Sequence, residues 1–109
     1  MECAIVGAGA VAREYVADIE TTPLTVTAVV DTDATAADTL AAQVGATGYT
    51  DLDRCLTAEG APLVINLTPH RVHAGVTAAA IDAGRHVFSE KPLALDPAVA
   101  TDLVDRAAA

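Results

Sequence analysis

The stretch CAIVGAGAVA, residues 3–12, decides how the chain folds. It joins a short apolar run to two closely spaced glycines and then to a segment in which Val11, Tyr15 and Ile19 recur at helical spacing. Apolar residues four positions apart predict an amphipathic helix, and the run before the glycines predicts a buried strand. Strand, glycine turn and helix in this order are the context that a dinucleotide-binding fingerprint requires.

Each small residue of the fingerprint has a predicted task. Gly7 allows the tight turn, Gly9 lets the backbone approach a pyrophosphate, and Ala12 permits close helix packing. The start of the helix, at Ala10 and Val11, offers N–H groups and a positive dipole end to the phosphates. The alternative is a glycine turn that binds nothing.

A second predicted strand, residues 24–30, ends at Asp31. Asp31 follows the glycines by about the 20 residues expected for the acid that accepts hydrogen bonds from the adenosine ribose. Its carboxylate would repel a 2′-phosphate, and the next residues include no arginine, so NAD is favoured over NADP. The alternative is a helix cap, a role that Thr32 or Asp33 can take instead.

Strands and helices alternate along the rest of the chain. After Asp31 we predict helices over residues 34–44, 51–56 and 70–83, strands over 47–50, 63–67 and 85–89, and a last helix that begins at Asp96 or Pro97. This alternation predicts an α/β fold, a doubly wound parallel Rossmann sheet of strand order 3-2-1-4-5. Gly7, Gly9 and Thr68 should then surround one crevice. For the helix over 70–83 we predict an inner face of Val72, Val76, Ala79, Ala80 and Ala83.

Length and composition limit the class of protein. The 109 residues suffice for one domain, and a 52% hydrophobic, 3% aromatic composition predicts a core of small aliphatic side chains. A formal charge of −9 argues against binding to nucleic acid or to an anionic membrane surface. An acidic surface with Lys91 as the only lysine resembles proteins of salt-adapted (halophilic) organisms. It also suggests that Lys91 has a task.

The two cysteines, Cys3 and Cys55, have no CxxC spacing and no cluster of histidines nearby, so no metal site is expected. They are predicted to be buried free thiols in a reducing compartment, which indicates a cytoplasmic protein. We expect no signal peptide, and the sequence has no apolar run near the length of a membrane helix.

Two predicted strands end in polar residues and a proline: VINLTPHRVH, residues 64–73, and HVFSEKP, residues 86–92. Ligands of open α/β sheets bind outside the carboxyl ends of strands. Together with IVGAG at 5–9, VD at 30–31, YTDLD at 49–53 and AGRHVFSEKPLA at 83–94, these stretches resemble the Gfo/Idh/MocA oxidoreductases, which include glucose-fructose oxidoreductase and inositol dehydrogenase. Residues 83–94, which follow the TPxxxH pattern, are the stretch most specific for this family.

The resemblance implies hydride transfer between NAD and a sugar, cyclitol or similar polyol. It places Thr68, Pro69 and His73 beside the nicotinamide, Glu90 against the cofactor and Lys91, as the catalytic residue, on the reacting oxygen. A cation there stabilises developing alkoxide charge. It also implies a cis Lys91–Pro92 bond. Two alternatives stay open for these residues. His73 could be a hydrogen-bonded packing residue, and Glu90 and Lys91 could form an ordinary charge pair on the surface.

The resemblance further implies that residues 1–109 form a truncated dinucleotide-binding domain. The family's last strand and its second domain, which supplies an Asp/His pair, substrate contacts and most of a homo-oligomer interface, would lie beyond the chain. We expect the 109 residues alone to be inactive. Two alternatives remain open: a non-catalytic module that senses NAD or mediates interactions, and another two-domain dehydrogenase of the same fold.

Overall fold

The computed structural model describes residues 1–89, which form a five-stranded parallel sheet of order β3-β2-β1-β4-β5 with helices on both faces. This confirms the predicted doubly wound topology. The elements are β1 (Glu2–Val6), α1 (Ala10–Ile19), β2 (Thr25–Val30), α2 (Ala34–Val44), β3 (Thr47–Tyr49), α3 (Leu52–Ala58), β4 (Leu63–Asn66), α4 (His70–Asp82) and β5 (His86–Phe88). The predicted last helix lies outside the described residues.

The middle of the sheet is apolar on both faces, which is what the continuous aliphatic runs in the sequence require. On one face, Ile5, Val29 and Ile65 are fully buried in the cluster that α1 and α2 cover. On the other face, Val64 and Ala28 are fully buried in the cluster that includes residues of α3 and α4. Both clusters are therefore covered by helices.

Small side chains bring the helices close to the sheet. Ala12 of α1, Ala37 of α2 and Ala80 of α4 are each 1% exposed or less. An alanine at a helix–sheet contact lets the two backbones approach more closely than a larger side chain would. The burial of Ala12 confirms that the third position of the glycine fingerprint is a packing position.

Most predicted boundaries agree with the structure to within two residues. The helix over 34–44 begins and ends where predicted, and Gly45 ends it in the left-handed conformation at φ +72°. The largest difference is at the end of α3, which continues to Ala58 instead of ending at residue 56. The strand β4 ends at Asn66 instead of continuing through Leu67. The strand ends there because Asn66 uses its side chain to bond the following turn.

The predicted inner face of α4 is partly wrong. Val72 is 44% exposed and Ala83 is also exposed, whereas Val76 and Ala79 are half-buried and Ala80 is buried. The helix is rotated so that positions 73, 76, 77 and 80 face the sheet. Hydrogen bonds from Asn66 to positions 73 and 77 hold it in this orientation.

Candidate functional site

The carboxyl ends of β1, β2 and β4 meet at one crevice. Val6, the last residue of β1, is paired with Val30 of β2 on one side and with Asn66 of β4 on the other. The chain stays bonded just past these strands, because Gly7 N donates to Val30 O at 2.7 Å and Leu67 N donates to Val6 O at 2.8 Å. Ligands of doubly wound sheets bind at such a switch in strand order.

Gly7 is required by the backbone itself. Its φ is +101°, and a Cβ at this position would lie 2.9 Å from both the carbonyl carbon and the carbonyl oxygen of Leu67. An L-residue would be strained by the positive φ and would also collide with the turn after β4. The tight turn predicted at Gly7 is present.

Gly9 differs from Gly7 in both respects. Its φ is −80°, an angle open to any residue, and no atom lies within 4 Å of where its Cβ would be. The fold therefore does not need a glycine here. The open space lies at the N-terminus of α1, which begins without a side-chain cap. Missing side-chain bulk beside uncapped N–H groups is the arrangement into which a phosphate fits.

The helix starts divide into two kinds. Asp33 caps α2 by accepting hydrogen bonds from Thr35 N and Ala36 N, and Asp51 caps α3 by accepting from Asp53 N. In contrast, α1 and α4 begin at Gly9 and Pro69 without any side-chain cap. These two helices follow β1 and β4, the strands on either side of the switch. N–H groups without side-chain acceptors are thus found at the crevice.

The early residues of α1 take different environments. Ala10 is exposed, Val11 is half-buried and Ala12 is buried. The side chains of Ala10 and Val11 are small or aliphatic, so the groups that these two residues could offer a phosphate are their backbone N–H groups.

Asp31 follows β2 and reaches across to the glycine turn. Its Oδ2 accepts a hydrogen bond from Ala8 N at 2.8 Å, and its Oδ1 accepts one from Asp33 N at 2.8 Å. A carboxylate has about four acceptor positions, so capacity remains for two hydroxyl donors. Because Asp33 caps α2, the capping alternative for Asp31 does not apply; instead Asp31 ties the turn after β1 to the turn after β2.

Asn66 is a residue of this edge that the sequence reasoning missed. It is 1% exposed, the one buried polar residue among those that the structure describes. Its Oδ1 accepts from Thr68 N at 3.2 Å and from Thr68 Oγ1 at 2.6 Å, and its Nδ2 donates to His73 O at 2.9 Å and to Thr77 Oγ1 at 3.0 Å. The signal for it was an amide residue at the end of the aliphatic run of β4.

The three residues predicted beside the nicotinamide follow β4 directly. Thr68 is half-buried, Pro69 is exposed at the N-cap of α4, and His73 is half-buried on the sheet-facing side of α4. Of the three, Thr68 lies near the glycine turn, because a Cβ at Gly7 would be 3.2 Å from Thr68 N. Glu90 and Lys91, together with the predicted cis bond between Lys91 and Pro92, lie outside the described residues.

Tyr49 and Glu59 extend the edge toward β3. The Tyr49 carbonyl accepts from Asp31 N at 3.0 Å, and the Tyr49 hydroxyl donates to Glu59 Oε2 at 2.5 Å. This hydrogen bond to a carboxylate raises the pKa of Tyr49 to about 12. The phenol is therefore a neutral structural donor at physiological pH.

The cysteines are away from this chemistry. Cys3 and Cys55 are free and buried, as predicted. Burial raises the pKa of Cys3 to about 12 and that of Cys55 to about 11, so both are unreactive thiols near neutral pH.

Residues 1–89 contain neither a metal-binding cluster nor a membrane-spanning helix. No three His, Cys, Asp or Glu side chains lie close enough together there to hold a metal ion. No helix in that range has the length and apolar character needed to cross a lipid bilayer.

The parallel sheet, the glycine turn at its switch point and the acid at the end of β2 define a Rossmann-type nucleotide-binding domain. The chain belongs to the Gfo/Idh/MocA oxidoreductase family, because the model of that family's NAD-binding Rossmann fold matches residues 1–109. This confirms the resemblance seen in the sequence.

Individual relatives agree with the family. The chain is 37% identical over 81 residues to inositol 2-dehydrogenase of Leifsonia xyli subsp. xyli, covering 74% of this chain and 24% of that protein. It is 34% identical over 110 residues to D-glucoside 3-dehydrogenase of Escherichia coli K12, covering 98% of this chain and 31% of that protein. The chain thus spans about a quarter to a third of the curated relatives it matches.

Solved structures show the same fold. The WlbA dehydrogenase of Chromobacterium violaceum, in complex with NADH and UDP-GlcNAcA, matches with a TM-score of 0.79 at 27% identity, over 99% of this chain and 33% of that one. The myo-inositol 2-dehydrogenase of Lactobacillus plantarum matches with a TM-score of 0.76 at 25% identity, over 99% and 32%.

Proposed function

We propose that the chain is the NAD-binding domain of an oxidoreductase that transfers hydride between the nicotinamide and a hydroxyl or carbonyl of a sugar, cyclitol or similar polyol. The observation that carries the proposal is the space at Gly9, which the fold leaves open beside the uncapped start of α1. The relatives named inositol 2-dehydrogenase and D-glucoside 3-dehydrogenase support the substrate class.

The described residues divide the work of holding the cofactor. The backbone N–H groups at Ala10 and Val11 bind the pyrophosphate, and Gly9 leaves room for it. Asp31 accepts hydrogen bonds from the adenosine ribose hydroxyls with the acceptor capacity that its two backbone contacts leave. Thr68, Pro69 and the more distant His73 border the nicotinamide half. When bound, NAD supplies the hydride acceptor.

Lys91 is proposed as the catalytic residue, with Glu90 contacting the cofactor. A lysine ammonium beside the reacting oxygen stabilises the negative charge that develops there as hydride leaves or arrives. In a chain with no other lysine, a cation at this position is a specific feature rather than a general property of the surface.

We further propose that the protein has a second domain that provides the general acid/base, the substrate contacts and a homo-oligomer interface. The length of the relatives, three to four times that of the matched region, supports this division. The buried free thiols support a reducing, cytoplasmic environment.

Cofactor choice follows from charge. The Asp31 carboxylate would repel the 2′-phosphate of NADP, and residues 32–34 include no arginine to hold that phosphate. We expect isothermal titration calorimetry to give NAD⁺ the tighter binding, by about tenfold or more, because each like-charge contact costs about a kcal/mol or more near a protein surface. Asp31→Ser should weaken NAD⁺ and remove most of the preference. Tighter binding of NADP⁺ by the unaltered protein would contradict the assignment.

Turnover tests the role of Lys91. In the full-length protein, Lys91→Ala should lower kcat with myo-inositol or a D-glucoside by about 100-fold or more, since it removes a charge that matters mainly in the transition state. NAD⁺ affinity should change by less than about threefold. Full activity of the variant would remove Lys91 from the mechanism.

A further inference from the structure

The hydrogen bonds of Asn66 connect three parts of the crevice. Through Oδ1 the side chain reaches Thr68, the first residue of the loop after Leu67, and through Nδ2 it reaches the first two turns of α4. The side chain is almost fully buried and all of its polar atoms have partners. A buried, fully bonded amide is rigid, and it holds its neighbours rigidly as well.

The orientation of the Asn66 amide is fixed by two backbone groups. The His73 carbonyl only accepts, so the group 2.9 Å from it must be the NH₂. Thr68 N only donates, so the group 3.2 Å from it must be the carbonyl oxygen. Exchanging the two ends of the amide would break both hydrogen bonds and leave buried polar groups unpaired.

This orientation determines what the Thr68 hydroxyl can do. Thr68 Oγ1 lies 2.6 Å from Asn66 Oδ1, which can only accept, so the hydroxyl must donate its one hydrogen to Asn66. Its lone pairs remain for another partner. A threonine hydroxyl can ordinarily donate or accept a hydrogen bond, but toward a further partner the Thr68 hydroxyl can only accept.

We infer that Asn66 is a positioning residue that makes the Thr68 hydroxyl a hydrogen-bond acceptor for the nicotinamide half of the cofactor. That half carries donors of the required kind in its carboxamide NH₂ and its ribose hydroxyls. The inference rests on the proposed function, since it assumes that NAD binds at this crevice. It adds a selectivity element: a cofactor analogue that presents only an acceptor at this point is rejected.

The test compares NAD⁺ with ADP-ribose, which has the adenosine and pyrophosphate parts but no nicotinamide. By calorimetry on the full-length protein, Asn66→Ala should weaken NAD⁺ binding about tenfold, the size expected for one well-placed hydrogen bond. It should weaken ADP-ribose less than about twofold. Thr68→Val should behave in the same way, and the double variant should be no worse than either single one, because both remove the same hydrogen bond.

Two further variants separate positioning from support of the fold. Asn66→Asp keeps an acceptor for the Thr68 hydroxyl, so it should keep the wild-type ratio of NAD⁺ to ADP-ribose affinity even where its thermal stability falls. Thr57→Val is the matched control, because it removes a hydroxyl that donates to the Asp53 carbonyl, away from the crevice. It should leave both affinities unchanged.

The outcomes are distinguishable. The inference would be overturned if Asn66→Ala weakened the binding of NAD⁺ and of ADP-ribose equally. It would also be overturned if the effects of Asn66→Ala and Thr68→Val on NAD⁺ affinity multiplied in the double variant. If Asn66→Ala does not fold, the comparison of Thr68→Val with Thr68→Ser decides, because serine keeps the hydroxyl and should keep NAD⁺ affinity. Failure of the unaltered protein to bind either NAD⁺ or ADP-ribose would instead overturn the proposed function.

Discussion

At the scale of single residues, the two glycines of one fingerprint are present for different reasons. Gly7 has a positive φ, and a Cβ at this position would lie 2.9 Å from the Leu67 carbonyl, so the folded backbone requires a glycine. Gly9 has an ordinary φ and empty space around it, so only a ligand would require it. The sequence predicted both roles, but only the structure separates them in a way that mutation can test.

We expect Gly7→Ala to lower the free energy of unfolding by about 2 kcal/mol or more, through strain at positive φ and the clash with Leu67. Gly9→Ala should change it by less than about 0.5 kcal/mol while weakening NAD⁺ binding about tenfold or more, because its methyl group occupies the phosphate space. Urea unfolding and calorimetry on both variants measure these effects. A stable Gly7→Ala protein, or unaltered NAD⁺ affinity in Gly9→Ala, would contradict the assignment.

At the scale of secondary-structure elements, the Arg85 side chain links α3 and the loop after it to the end of α4. Its guanidinium donates to the carbonyls of Leu56 at 2.8 Å, Ala61 at 2.7 Å and Ala83 at 3.3 Å. Three carbonyls on three segments need the planar fork of arginine, which the single ammonium of lysine does not reproduce. The residue lies just before β5 and orients that strand beside β4.

Arg85→Lys should therefore lower the free energy of unfolding by about 1–2 kcal/mol, since at least one buried carbonyl loses its donor. Arg54→Lys, at an exposed position of α3, is the charge-matched control and should change stability by less than about 0.5 kcal/mol. Thermal or urea unfolding of the two variants makes the comparison. Equal stability of both would mean that the three hydrogen bonds contribute nothing net.

The elements themselves were largely predictable because the local signals agree with one another. Aliphatic runs of the right length, Gly45 at a helix end and aspartates at helix starts gave the order of strands and helices. The orientation of α4 was not predictable from its apolar spacing. Its sequence is rich in alanine, so hydrophobicity differs little between faces, and the hydrogen bonds of Asn66 decide which face turns inward.

At the candidate site the tight turn at Gly7 was predictable, whereas the ribose-binding role of Asp31 stays a prediction. The role of Asn66 was not predictable, because an asparagine at a strand end has many possible partners and the pattern does not name them. Thr68 was placed correctly beside the crevice, but the direction of its hydrogen bond depends on Asn66. Long-range polar contacts of this kind leave no periodic signal.

At the scale of the whole molecule, the buried thiols make the free energy of unfolding depend on pH in the alkaline range. The pKa of Cys3 is raised from 9.0 to about 12 by burial, and that of Cys55 to about 11. Above about pH 9 the unfolded chain releases protons that the native state keeps, so the free energy of unfolding falls as pH rises toward the native values. Well below about pH 9, where the unfolded chain also keeps its thiol protons, this contribution is fully present.

We therefore expect urea midpoints, measured with reductant present, to fall between about pH 8 and about pH 10.5. The decline should be shallower in Cys3→Ala than in the unaltered protein. The pKa of Tyr49 is also raised in the native state, so this residue also lowers the stability at alkaline pH. The contribution of the Cys3 thiol is therefore the difference between the pH profiles of the two proteins, not the decline itself. Parallel pH profiles would exclude Cys3 as a cause.

The missing side-chain cap of α1 affects how stable the protein is without its cofactor. A helix that begins without a cap gives up about 1 kcal/mol that an aspartate at position 9 could have supplied. On the proposed function, the dinucleotide takes the place of that side chain, so the cofactor acts as a removable part of the fold. Occupancy and resistance to proteolysis then rise and fall together, and the abundance of the protein reports on the cellular supply of its own cofactor.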